Sequence, residues 1–303
     1  MSPQILLEGL IAGSMIGLGA IGVTLTYSIL RFANFAHGDF LAWGAYLALA
    51  ISGALGSLAG GLATPIAPFS FGWSLPVAAV LAALLTAGLA LLVDALLFGP
   101  LRRRRSAVII LVMASFGAAL TLRSLLEFVF TSTPFYYTQE LQIAMKLGAG
   151  MRATPDQLLS LAVAAVLVVL VHLLLTRTAI GREMRAVSEN PALAGVVGVD
   201  VRRVVRTVWA LGAALACMAG VIAGLLVQIR PQMGLDLLLP LFAASILGGI
   251  GSVPGAMLAG LIVGVAEAAT VALVGAEWRA ACAFVILVAI LLLRPQGLFG
   301  RPD

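Results

Sequence analysis

Long apolar runs, each close to the length of a bilayer crossing, divide this chain, and polar residues gather in the stretches between them. A helix needs about 20 apolar residues, rising 1.5 Å each, to cross about 30 Å of hydrocarbon. On that measure the runs predict spans at about 7–30, 40–60, 74–98, 106–127, 157–176, 206–228 and 280–294. The stretch 237–275 is apolar too, but GGIGSVPG breaks it near its middle, and it counts as two passes. Its first part, about 14 apolar residues, is short for a straight span and fits a short crossing helix, a re-entrant piece or a discontinuous helix. With these nine segments, one of them short for a full crossing, the expected fold is an all-α integral membrane protein of about eight transmembrane passes, some short or broken. It forms one transmembrane domain over residues 1–303.

Composition agrees with the pattern. Of 303 residues 62% are hydrophobic and 10% charged, with mean hydropathy +1.12. A soluble domain carries about 25% charged residues, so this surface faces mostly lipid. The opening MSPQILLEGL has no basic n-region, and the first run is expected to be retained. Cys217 and Cys282 both lie in apolar segments and suggest neither a disulfide framework nor a metal motif.

The net charge of +5 is a topology signal. Arg102–Arg105, the 177–206 loop with six arginines, and the tail with Arg294 and Arg301 fall on one side of the span map. The other side holds Lys146 and Arg152 in 128–156 and Arg279 in 275–281. The positive-inside rule then puts the N-terminus outside and the C-terminus in the cytoplasm. No nucleic-acid partner is implied. Arg102–Arg105 read best as headgroup anchors, with membrane lipid as their partner.

Within the spans, Gly9, Gly13 and Gly17 share one helix face, and Gly260 and Gly264 repeat the spacing. Such ladders let helix backbones approach closely, and packing is their expected role. Charged residues inside spans are costly unless paired or hydrated. Asp94 and Arg123 lie near span ends, Glu8 near the outer interface, and only Glu267 sits well inside an apolar run. Glu267 has a functional reading on cost and a packing reading against a partner group. His172 is isolated and reads as a helix-packing residue.

Chemistry is sparse. The single lysine, Lys146 in AMKLGAG, excludes a GxxxxGK[ST] phosphate loop, so any nucleotide-driven work belongs to another chain. RFANFAHGDF concentrates Asn34, His37, Gly38 and Asp39 between the first two spans. One reading is a polar turn at the cytoplasmic end of the first span, with Gly38 relieving a bend and Asn34 and Asp39 capping helix ends. A rival is an intramembrane enzyme using His37 as base and Asp39 as orienter, although residues two apart do not face each other on a helix. A third class, an ion-coupled secondary transporter, wants several embedded acids, and only Glu267 qualifies. No catalytic or metal-binding residue is assigned.

The loop TRTAIGREMRAVSENPALAGVVGVDVRRVVR is helix-compatible at both ends, and Asn190-Pro191 favours a turn followed by a new short helix. That helix would lie on lipid or dock into a partner groove, and Gly195 and Gly198 favour docking. Three segments in order, LTYSILRFANFAHGDF, GREMRAVSENPALAGVVGVDVRRV and RPQMGLDLLLPLFAASILGGIGSVPGAMLAGLIVGVAE, resemble the permease subunits of branched-chain amino-acid ABC importers, the LivH type. The family also includes importers of urea and short amides. The resemblance implies a bacterial cytoplasmic (inner) membrane protein paired with a second, LivM-like permease. It implies two cytoplasmic ATPase subunits carrying ATP and Mg, and a periplasmic substrate-binding protein. This chain itself would bind no cofactor. The loop, about 177–206, with Arg182, Glu189, Asn190, Pro191, Gly195 and Gly198, resembles the segment that couples to the ATPase. Asn34, His37, Gly38, Asp39 and Glu267 are assigned to the translocation path or gate. So are Gly248, Gly249, Gly251 and Ser252 of GGIGSVPG, as an unwound break lining the path or, equally, a tight turn between packed helices.

Overall fold

The computed structural model describes residues 2–58, 60–62, 64–138, 142–148, 150–294 and 296–300. Arg301, counted above among the inner-face charges, lies outside the described residues. The order is α1 (Pro3–Leu30), α2 (His37–Leu58), α3 (Ser74–Val93), α4 (Gly99–Arg103), α5 (Val108–Phe130), α6 (Pro155–Arg177), α7 (Ala179–Glu189), α8 (Pro191–Val196), α9 (Val201–Leu226), α10 (Met233–Gly248), α11 (Val253–Leu273) and α12 (Arg279–Leu293). A wide π turn, Asp94–Phe98, joins α3 to α4 so that one rod runs from Ser74 to Arg103. Among the described residues eight helical segments are long and apolar enough to span, and α10 is a shorter apolar one. This matches the expectation of about eight passes, with the short member at the expected place.

A two-stranded hairpin, β1 (Met145–Gly148) and β2 (Met151–Ala153), interrupts the otherwise helical chain. Apolar periodicity gave no hint of it, because it lies in a connection outside the spans, where Gly148 and Gly150 take positive φ.

The core is built around α1, whose partners are α11, α9, α10 and α6. Its glycine ladder meets the ladder of α11. A Cβ on Gly13 would lie 2.7 Å from Leu261 Cα, one on Gly9 2.5 Å from Val265 Cα, and one on Gly17 2.6 Å from Met257 Sδ. The paired numbers run in opposite directions, so α1 and α11 are antiparallel. Hydrocarbon supplies no hydrophobic drive between helices, and backbone contact of this closeness substitutes dispersion for it. The packing role expected for both ladders is therefore the one the structure gives them.

Helix starts follow local chemistry. Thr154 and Gln157 form a reciprocal capping box on α6, and Asp200 Oδ1 accepts from Arg202 N (3.0 Å) and Arg203 N (3.1 Å) to begin α9. Asp94 is not free to reach an interface. It pairs with Arg102 at 2.7 Å across the π turn, which takes Arg102 out of the headgroup-anchoring set and leaves Arg103–Arg105 exposed. His172 does not pack between helices, since its side chain is exposed on the outside of α6.

Candidate translocation site and coupling element

The polar turn after α1 folds back into the bundle. Arg31 ends α1 in a left-handed conformation (φ 56°), and Asn34 Oδ1 accepts from Ala36 N at 3.2 Å, closing the reversal. His37 then begins α2, and its Nε2 donates to the Gly19 carbonyl at 3.2 Å. Gly19 lies eleven residues before the end of α1, about 16 Å at 1.5 Å per residue. His37, Gly38 and Asp39 therefore stand near the middle of the bundle, not at its cytoplasmic end as the span map suggested. Glycine makes this possible: a Cβ on Gly22 would lie 2.7 Å from His37 Cε1.

Two roles expected from sequence change here. Asp39 does not cap a helix. It is 1% exposed and forms an ion pair with Arg123 of α5, 15% exposed, with Oδ1 3.2 Å from Nε. His37 and Asp39 thus have separate partners, and no base–orienter pair exists. Gly38 relieves no bend, because it sits within α2, where its backbone lies against that of Gly234 with no space for a side chain. Two phenylalanines of the same motif are core: Phe32 lies tilted against Phe98 at 5.3 Å and Phe40 meets Trp209 edge-on at 6.2 Å.

Gly234 belongs to the second half of this junction. After α9 the chain runs extended, pairs Ile229 with Phe135 in an antiparallel bridge, and starts α10 at Met233 beside the start of α2. Two helix N-termini therefore meet in mid-bundle. Charged and amide groups surround them: Arg123 with Asp39, Gln232 Nε2 with Glu127 Oε1 at 2.8 Å, and Arg230 with Asp236 at 2.9 Å. Sequence reading assigned no site role to Arg123, Glu127, Arg230, Gln232 or Asp236. The usable signal was RPQMGLD, two opposite charges six residues apart at the mouth of an apolar run too short to span.

GGIGSVPG is a tight corner, not an unwound helix. Gly249 and Gly251 take φ of 92° and 88°, and Ser252 caps α11 by accepting from Gly255 N at 3.1 Å. Gly248 and Gly255 bring their backbones together, and the tail lies over the corner through Leu298 N donating to the Leu247 carbonyl at 2.8 Å. Gly251 N donates to Thr24 Oγ1 at 2.7 Å, which ties the corner to α1. Glu267 is 1% exposed and bonded to Arg279 Nε of α12 at 2.7 Å, with Arg279 46% exposed. A partner beyond the end of its own helix meets Oε2, while Oε1 is buried without a hydrogen bond among the described residues.

The loop after α6 forms two helices, as its sequence suggested. Met184 and Val187 of α7 bury against Ile29 of α1 and Val204 and Val208 of α9. Asn190 closes α7 and opens α8, its Oδ1 accepting from Ala192 N (3.1 Å) and Leu193 N (3.0 Å), with Pro191 in the first turn. Gly198, at φ 91°, turns the chain away after α8. Arg31 reaches across to donate to the Ser188 and Glu189 carbonyls, both at 3.1 Å. Arg182, Glu189 and Gly195 face solvent around α8, and Leu193, Val196 and Val197 leave an apolar surface uncovered, with Val196 84% exposed. Sequence reading placed the two helices and the turn between them correctly.

A bundle of apolar helices of spanning length with a polar junction at its centre defines a multi-pass membrane protein. Residues 5–291 match the family model described as branched-chain amino acid transport system / permease component, and the chain belongs to that family. It is 29% identical over 306 residues to the high-affinity branched-chain amino acid transport system permease protein LivH of Escherichia coli K12, covering 99% of this chain and 96% of that one. It is 30% identical over 315 residues to the corresponding permease protein BraD of Pseudomonas aeruginosa, with the same coverage. Among solved structures, PsaBC from Streptococcus pneumoniae in complex with Fab aligns over 96% of this chain and 92% of that one at 13% identity and a TM-score of 0.48. The chain is thus a non-catalytic transmembrane subunit of an ABC transport system, and the enzyme and secondary-transporter readings fall away.

Proposed function

We propose that this chain is one of two permeases lining the path of an ATP-driven importer for branched-chain amino acids in a bacterial cytoplasmic membrane. A LivM-like permease forms the other half, two cytoplasmic ATPase subunits bind ATP and Mg, and a periplasmic binding protein delivers the solute. The whole of 1–303 acts as one membrane domain, with the α7–α8 loop as the coupling element. The observation that carries the reading is α8: a capped helix whose Leu193, Val196 and Val197 are uncovered on an otherwise arginine-rich face, a surface shaped for a protein groove.

The N-terminus lies outside and the C-terminus in the cytoplasm. Termini on opposite sides need an odd number of crossings, and eight alone would return both to one side. The extended segment 228–232 together with α10 supplies a ninth. The antiparallel pairing of α1 with α11 supports that count, since α11 opposes α1 only if α10 also crosses. ATP binding closes the ATPase pair and shifts α7–α8 as a unit. Arg31, bonded to the last carbonyls of α7, carries that shift to the turn before His37. Asn34, His37, Gly38 and Asp39 act at the resulting mid-membrane gate, whereas Gly248, Gly249, Gly251, Ser252 and Glu267 hold the helices that frame it.

The test is purification followed by reconstitution. The tagged chain should bring down an ATPase and a second permease, and vesicles should take up leucine only with ATP and the binding protein. Uptake by this chain alone, without ATP, would overturn the reading.

A further inference from the structure

Arg230 and Asp236 present a problem that lipid cannot solve. They form an ion pair at 2.9 Å, yet 48% of the arginine side chain and 49% of the aspartate side chain remain exposed. Arg230 follows the Phe135–Ile229 bridge and Asp236 comes two residues after Gly234, whose backbone meets that of Gly38, so the pair stands at the junction of the two helix starts. Exposed charges within the hydrocarbon layer are costly and face a water-filled path or a protein partner. The neighbouring Asp39–Arg123 and Gln232–Glu127 pairs are engaged and largely covered. Arg230 and Asp236 touch through one nitrogen and one oxygen, which leaves donors on the guanidinium and an oxygen on the carboxylate turned outward. Leu235, next to Asp236 in the chain, and Val227, three residues before Arg230, are exposed apolar side chains.

We propose that Arg230 and Asp236 form a transit site for a zwitterionic α-amino acid. The substrate carboxylate is received by Arg230, its ammonium group by Asp236, and its aliphatic side chain by Leu235 and Val227. An α-amino acid carries both charges on one carbon, so two opposite charges already in contact are its electrostatic match. The empty site is neutral, because the residues neutralise each other. Entry exchanges one set of charge-assisted bonds for another, which keeps occupancy brief while selecting for both charges. The proposal rests on the importer reading above.

The test uses the complete importer in proteoliposomes, with leucine as the probe. Arg230→Gln and Asp236→Asn should each lower ATP-driven uptake by about tenfold or more, the equivalent of one substrate charge contact, while ligand-loaded binding protein still stimulates ATP hydrolysis. The double variant Arg230→Met/Asp236→Leu should be as low as the singles. A double variant that recovers uptake would mean that the two residues only satisfy each other, and the proposal fails. In a background of Cys217→Ala and Cys282→Ser, Asp236→Cys in the assembled complex should react with a membrane-impermeant charged thiol reagent, and trapped leucine should protect it. No reaction overturns the proposal. A parent importer that takes up no leucine with ATP overturns the functional reading instead, and labelling at position 236 then separates that failure from a buried site.

Discussion

Replacing Gly13 by alanine adds one methyl group where the backbones of α1 and α11 meet. The new carbon would stand 2.7 Å from Leu261 Cα and 2.8 Å from the Gly260 carbonyl oxygen. Both neighbours are backbone atoms, so no side chain can rotate away. Carbon atoms rest at about 3.5–4.0 Å, and the helices must part locally by about 1 Å, a gap that removes a quarter to a half of each dispersion contact it opens. Overpacking of this kind costs roughly 1–3 kcal/mol. Gly117, in the middle of α5, has nothing within 4 Å of the place where an alanine methyl would stand. There alanine should stabilise by about 0.5–1 kcal/mol through its better helix propensity. The same substitution is thus expected to act with opposite signs at two sites, read as the midpoint of SDS-driven unfolding of detergent-solubilised protein by tryptophan fluorescence. A Gly13→Ala midpoint equal to or above the parent would refute the backbone-contact account of the α1–α11 pair.

Arg123→Met leaves Asp39 buried without its cation, and the loss is expected to be roughly 3–5 kcal/mol. Adding Asp39→Asn should recover part of it in the same unfolding assay, and two independent, additive losses would contradict the pairing. Glu267→Gln keeps an acceptor for the half-exposed Arg279, so leucine uptake should stay within about twofold of the parent, as for other partly solvated pairs; a transport-dead variant would return Glu267 to the translocation path. Val196→Asp, on a side chain that nothing in this chain covers, should leave folding intact and abolish co-purification of the ATPase. Glu189→Ala and Gly198→Arg should allow hydrolysis without uptake, the latter because a side chain at φ 91° displaces the end of α8. Unchanged uptake in both would remove the loop from coupling.

Much of this was legible because membrane solvent leaves few choices. Apolar length located the spans, four-residue glycine spacing marked the packing faces of α1 and α11 without showing that they meet, and Asn190-Pro191 located α8, since each is a local rule acting within one helix turn or one run. Depth was not legible. RFANFAHGDF lies between two spans, so linear reading puts it at the membrane surface. Its actual level depends on the Gly19 carbonyl of α1 bonding His37, on Gly22 making room for the imidazole, and on Gly234, almost two hundred residues later, lying against Gly38. For the same reason the partners of Asp39 and Glu267 were hidden. Arg123 and Arg279 sit near helix ends, where a sequence predicts escape to an interface, and only the tertiary arrangement turns them inward. A short α10 resolves both puzzles together. Because it begins in mid-bundle, α2 can begin there as well, and the polar residues that precede each helix meet at one level. The break that looked like the functional feature of 237–275 is a packed corner, and the charged pair of the same helix lies at its other end.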